Sequence, residues 1–290
     1  MKEKLNILLI TGIVTDEHDP KMNPMIRFML ESTGRFEVKI TEEFTGATAE
    51  TLAKYDAVFI NYDGKANVGT PFVGWGANTE KALYEYVGNG GGAVVYHSSF
   101  IKGEPALPEE YVRLVGCDFD FTTGRKSPKL EVIVDMNNGV HEITRGCPQS
   151  WMTAQEDFFV NMTWLPEAPV TVLATIRDDI TDYTPEKTQS HRRSEFENID
   201  LNALPGINTD QPVAWIHNFG KGRVFTTSIG HGPDTLKRPA FTGLLCRATE
   251  WAASGEVTIP YPELGGEKRL RCWPYYLDMN WSEFAKITSF

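Results

Sequence analysis

Gly90-Gly91-Gly92-Ala93-Val94-Val95-Tyr96-His97-Ser98-Ser99-Phe100 runs three glycines into a short apolar strand that stops at a histidine and two small hydroxyl residues. In an open α/β sheet the carboxyl ends of the strands border the ligand crevice. Hydrolases built on such sheets often carry a Ser or Cys nucleophile on the turn after the strand. Here that turn carries His97, so a cysteine or serine at the usual elbow is not expected.

Outward from this strand, the first half of the chain alternates two periodicities. Residues 5–13 and 56–61 are continuous apolar runs, and residues 36–40 alternate. Residues 22–32, 49–54 and 80–87 have helical spacing. This βαβ rhythm predicts a parallel sheet with helices on both faces, because strands covered on both sides read as apolar throughout. Beyond about residue 104 the rhythm changes. Strand candidates at 129–135, 171–176, 212–217 and 223–228 are joined by long polar connections, and Phe219-Gly220-Lys221-Gly222 reads as a hairpin turn. These are expected to be antiparallel additions. Residues 237–253 form the last helix, with Phe241, Leu244, Leu245, Ala248, Trp251 and Ala252 on one face. The division expected is one α/β domain over 1–255, with a Pro-, Gly- and aromatic-rich tail over 256–290 that wraps it.

The chain has 290 residues, 41% hydrophobic and 23% charged, with a formal net charge of −11. That balance argues against nucleic-acid binding and against docking on anionic membranes. Lys2 and Lys4 before an apolar run resemble the start of a signal peptide, but Asp16-Glu17-His18-Asp19-Pro20 follows instead of a cleavage site, and a buried first strand is preferred. No run approaches the length of a membrane span. Four scattered cysteines (Cys117, Cys147, Cys246, Cys272) make neither a zinc knuckle nor a disulfide framework, which favours the cytoplasm.

Candidate chemistry centres on the histidines. His97 ends the glycine-led strand, and His231 repeats that arrangement in Ser228-Ile229-Gly230-His231-Gly232, after a strand and before the last helix. Glu156 and Asp157 are adjacent carboxylates among aromatics and are candidates for a raised pKa; an exposed acidic pair is the plainer alternative. His97, His231, Glu156 and Asp157 form the candidate catalytic set. His18, Tyr62, Asp63, Trp75 and Ser98 are placed on its substrate-binding rim, where Tyr62, Trp75 and Trp164 offer faces for sugar stacking or simply belong to the core. His141, in Val140-His141-Glu142-Ile143-Thr144-Arg145-Gly146, divides evenly between structural and catalytic roles, while His191 and His217 are expected to be solvated or structural. A divalent metal such as zinc could be held by His97, His231 and Glu156, although no compact ligand spacing supports it.

Taken together, these segments resemble the ThuA-like (trehalose-utilization) family. The resemblance rests on residues 90–98, on His141-Glu142-Ile143-Thr144-Arg145-Gly146, on Glu156-Asp157, and most strongly on residues 212–225 continuing through Thr227-Ser228-Ile229-Gly230-His231 into Pro239-Ala240-Phe241. It implies a flavodoxin-like fold related to class I glutamine amidotransferases and a role in disaccharide or glycoside catabolism. A 3-keto glycoside is the substrate class that follows. The amidotransferase cysteine is absent, so the expected enzyme is an isomerase, lyase or hydrolase using histidine and carboxylate acid–base or metal-assisted chemistry. The alternatives are a non-catalytic sugar-binding or regulatory protein, and a hydrolase using Ser98 or Ser99. A small carbohydrate is the expected partner, with no nucleic acid or membrane, and a homo-oligomer is compatible with the sequence. The charged loop at 178–211 and the tail depart from the family pattern.

Overall fold

The computed structural model describes residues 4–12, 21–64, 73–100, 108–188, 196 and 199–261. His18, His191, Cys272 and most of the tail lie outside the described residues.

Five strands form a parallel array: β1 (Leu5–Ile10), β2 (Phe36–Thr41), β3 (Ala57–Ile60), β4 (Gly92–Tyr96) and β13 (Gly222–Thr227). Their spatial order is β2-β1-β3-β4-β13, so the order reverses at β1. The side chains of β1 show why both faces need cover: Ile7 and Leu9 join one core, Leu8 and Ile10 the other. The helix α1 (Met22–Ser32) and the long helix Pro239–Ser254 cover the first face. On the second face lie α2 (Ala49–Leu52), α3 (Ala77–Gly88) and α4 (Glu109–Val115).

The sheet then continues antiparallel through β12 (Asp210–Phe219), β11 (Thr171–Arg177), β7 (Leu130–Met136) and β8 (Ser150–Glu156). Three of the four expected antiparallel additions, at 129–135, 171–176 and 212–217, are therefore present, and the strand at 150–156 completes the nine; the strand expected at 223–228 is corrected, because β13 pairs parallel with β4 and is the last member of the parallel array. Two short ladders sit beside this sheet: β5 (Cys117–Asp118) with β10 (Thr163–Trp164), and β6 (Arg125–Lys126) with β9 (Phe159–Val160). The expected hairpin joins β12 and β13.

Four successive antiparallel pairings return β8 to the direction of β4 and β13. All three strands therefore end on the same edge, at Tyr96, Thr227 and Glu156. In a flat sheet β8 would stand roughly 19 Å from β13. The segment after β13 reaches across that gap, since the His231 N–H donates to Glu156 Oε1 at 2.9 Å.

The glycines opening β4 have separate reasons. Gly90 has φ +122°, while Gly92 is pressed against the long helix, where a Cβ would stand 2.3 Å from the Ala252 carbonyl oxygen. At the other strand end, Gly230 (φ +116°) lies so close to Tyr96 that a Cβ would meet its hydroxyl at 2.2 Å. Tyr96 in turn donates to the Gly230 carbonyl at 2.9 Å. Gly92→Ala is expected to cost about 2 kcal/mol through overpacking. Gly88→Ala, with ordinary contact only to Phe219, should change stability by less than about 1 kcal/mol. Urea unfolding of the two variants beside the parent tests the contrast, and equal losses would contradict this packing.

Candidate functional site

Where β4 ends, His97 enters a short 3-10 turn, His97–Phe100, and adopts a left-handed backbone with φ 47°. Left-handed conformations of a non-glycine residue cost roughly 1–2 kcal/mol and persist where surroundings over-determine them. Here the ring is fully buried and its Nδ1 lies 2.9 Å from the Ser228 carbonyl at the end of β13. A carbonyl only accepts, so Nδ1 carries a proton, and in the neutral ring the lone pair is then on Nε2.

His231 stands edge-on to His97, with ring centroids 5.3 Å apart and planes at 83°. Its Nδ1 is 3.1 Å from Asp157 Oδ1. The other carboxylate oxygen, Asp157 Oδ2, is 3.7 Å from Lys126 Nζ. Both partners of that ion pair are buried, Lys126 at 1% side-chain exposure and Asp157 at 0%. The Lys126 ammonium also sits 5.2 Å from the centre of the Phe159 ring. Burial pushes the Asp157 carboxyl up, but contact with His231, the Lys126 ammonium and, when they are protonated, the His231 and His97 rings outweigh it and hold the group well below the carboxylate range.

Three of the four expected catalytic residues thus converge on one point, and Glu156 supports it from behind. Neighbours along a strand turn to opposite sides. Glu156 accepts the His231 N–H at 2.9 Å and the Thr235 hydroxyl at 2.6 Å, while Asp157 faces the imidazoles. Both carboxylates are fully buried, which removes the exposed-pair alternative.

The metal set needs correction. Donor atoms of His97, Asp157 and His231 lie within 4.8 Å of one another, the one such trio among the described residues. Asp157 therefore takes the place expected for Glu156, whose oxygens serve His231 N–H and Thr235. Ligands of a tetrahedral zinc stand about 3.3 Å apart, near the 3.1 Å between His231 and Asp157. Spacing fits a small ion; charge does not. A dication on an Asp157 oxygen would lie within about 8 Å of the buried Lys126 ammonium, a repulsion of about 4 kcal/mol at an effective dielectric of about 20.

The rim also needs correction. Trp75 and Tyr62 are each 5% exposed. Their rings pack 4.8 Å apart, with Phe44 5.1 Å from Trp75, and both belong to the core on the second face of the sheet. Trp164 packs edge-on to Trp215 at 5.2 Å. Ser98 donates to Asp63 Oδ1 at 2.6 Å, and Ser99 to the Ile60 carbonyl at 3.1 Å. The two hydroxyls brace the β3 end against the His97 turn. His217 is structural as expected, its Nε2 lying 2.8 Å from the Leu114 carbonyl. His141 caps the 3-10 turn Glu142–Thr144 and packs on Trp251.

Lys126 and Thr235 are the members that sequence reading misses. Lys126 follows Arg125 in an ordinary polar stretch, and nothing in that pattern signals burial. Its depth depends on the β6–β9 ladder, where it stands opposite Phe159.

Residues 6–252 match the ThuA family, described as trehalose utilisation. Among solved structures, a thua-like protein from Parabacteroides merdae is 22% identical with a TM-score of 0.68, the match covering 90% of this chain and 94% of that one. Another from Bacteroides uniformis is 18% identical, TM-score 0.59, with 91% and 98% covered. A cytoplasmic protein from Salmonella typhimurium is 18% identical, TM-score 0.53, with 86% and 97% covered. At such identities the likeness is one of fold. No match was found among curated proteins. No helix among the described residues is long and apolar enough to cross a membrane.

Glu156 carries a consequence for stability. Burial, reinforced by the charge of Asp157, pushes its carboxyl up to about 7 against the opposing hydrogen bonds from Thr235 and His231. The folded protein therefore holds a proton there that the unfolded chain releases near pH 4.5. Its contribution to stability is complete below about pH 4.5 and is lost as the pH rises through 7, about 3 kcal/mol in all. Glu156→Gln should gain on the parent by up to that amount between pH 5 and pH 8 in urea unfolding. Parallel stability curves would contradict the assignment.

Proposed function

The chain belongs to the ThuA family, described as trehalose utilisation, and on that premise we propose that it is an enzyme acting on a glycoside or its 3-keto form. The observation that carries this reading is the buried convergence of His97, Asp157 and His231 at the carboxyl edge of the sheet. Proton transfer next to a carbonyl is the chemistry this set supports.

In a 3-keto glycoside the hydrogen at C2 is acidic because the adjacent carbonyl accepts the electron pair. His97, its Nδ1 proton held by Ser228, offers the Nε2 lone pair that removes it. His231, backed by Asp157, hands a proton to the carbonyl oxygen. Return of the C3 hydroxyl proton to His231 restores the C3 carbonyl, forms the C1–C2 double bond of a 3-keto-2-hydroxyglycal and expels the glycosidic oxygen at C1, which leaves as an alcohol after taking from His97 the proton removed at C2. Asp157 holds the His231 ring in place, as an orienting carboxylate does for a catalytic imidazole. Side-chain exposure is 12% at His231 against none at the His97 residue, so His231 is the imidazole nearer solvent.

Incubation with 3-keto-trehalose and 3-keto-glucosides in deuterated water tests the proposal. Deuterium should enter at C2 and free sugar should appear. His97→Ala and His231→Ala should each lower turnover at least a hundredfold, and Asp157→Asn about tenfold to a hundredfold. Turnover that survives the double alanine variant would sink this mechanism. Binding of these sugars without exchange or cleavage would favour a sugar-binding protein instead.

A further inference from the structure

We infer that Lys126 is the resident cation of this centre, a positioning residue that takes the electrostatic role a divalent metal would have and thereby excludes one. The inference holds whatever the substrate, because it concerns only the buried groups themselves. Two imidazoles and a carboxylate with donor atoms within 4.8 Å are, by spacing, a three-ligand metal site. What sets this one apart is the ammonium 3.7 Å from Asp157 Oδ2, on the opposite oxygen from His231.

One oxygen of Asp157 thus faces His231 and the other faces Lys126. Lys126 is not a mobile surface cation that could swing away. Its side chain is 1% exposed, its head lies over the Phe159 ring, and its strand is fixed by pairing with Phe159 and Val160. The preceding residue, Arg125, is tied to Asp178 and to the Tyr183 hydroxyl, so the backbone at this point is anchored from both sides. The charges of Asp157 and Lys126 offset each other, and Glu156, the other buried carboxyl, is turned to the His231 N–H and Thr235. A dication on Asp157 would add two positive charges beside the Lys126 ammonium, away from water.

The experiment uses untagged, chelator-treated full-length protein titrated with Co²⁺ at neutral pH, followed by the visible d–d absorption of a nitrogen–oxygen site. The parent should show no band at stoichiometric cobalt. Lys126→Met should bind Co²⁺ about a thousandfold more tightly than the parent, the factor expected when the repulsion estimated above is removed. That gain should vanish in Lys126→Met/His231→Ala, which separates this site from adventitious surface binding. A merely structural lysine would lower stability without creating a cobalt spectrum.

Should Lys126→Met fold only when Zn²⁺ or Co²⁺ is supplied, as read by near-ultraviolet circular dichroism, the result counts for the inference. Lys126→Gln, which keeps a polar contact to Asp157 while removing the charge, serves as the second variant. Stoichiometric, tight cobalt binding by the parent would overturn the inference, as would folded variants that bind no better than the parent. If neither variant folds with or without metal, the parent titration decides alone, a silent spectrum supporting the inference and a bound spectrum refuting it. None of these outcomes depends on turnover, so failure here leaves the carbohydrate proposal standing, and the reverse.

Discussion

A carboxylate with no access to water must be surrounded by positive charge and hydrogen-bond donors, or it does not remain ionised. Asp157 imposes that requirement on three separate parts of the fold. Lys126 comes from a two-residue ladder beside the main sheet, His231 from the segment after β13, and His97 from the turn after β4. Removing one partner from such a group leaves an uncompensated buried charge, typically a loss of 3–5 kcal/mol. The antiparallel half of the sheet, which delivers Glu156 and Asp157, and the parallel half, which delivers His97, are therefore coupled through charge as well as through strand pairing. Glu156 adds a hydrogen-bonded tie between the same halves through Thr235 and the His231 backbone.

Most of the architecture is legible in the sequence because its signals are local. Continuous apolar runs announce β1, β3 and β4, and helical spacing announces α1, α3 and the long helix. The glycine-led strand before His97 and the glycines flanking His231 mark strand ends, and the carboxyl ends of parallel strands face one edge of the sheet. The relation of Glu156-Asp157 to those histidines is less local. It depends on β8 being the fourth strand beyond β13 and running in the same direction, which follows only from counting antiparallel partners.

Lys126 lies beyond such reasoning altogether. A lysine after an arginine looks solvated, and only the tertiary placement of a two-residue ladder buries it. The aromatic residues failed in the opposite sense. Tyr62 and Trp75 sit beside loops at the crevice edge in sequence, yet they pack on each other and on Phe44, since large apolar rings are stabilised by burial wherever the fold offers it. Position in the chain gives the edge of the sheet; it does not give which side chains line the opening.

The contact between Tyr96 and Gly230 links the residues immediately preceding His97 and His231. The Tyr96 side chain, seated on the Gly230 backbone, thus sets how far apart the two chain segments that carry the imidazoles stand. A pair fixed in this way is already in place before any ligand arrives. For laboratory evolution of new specificity, that means the reactive pair behaves as one inherited unit. Useful variation should accumulate in the surrounding loops, while changes at positions 96 and 230 should be purged together.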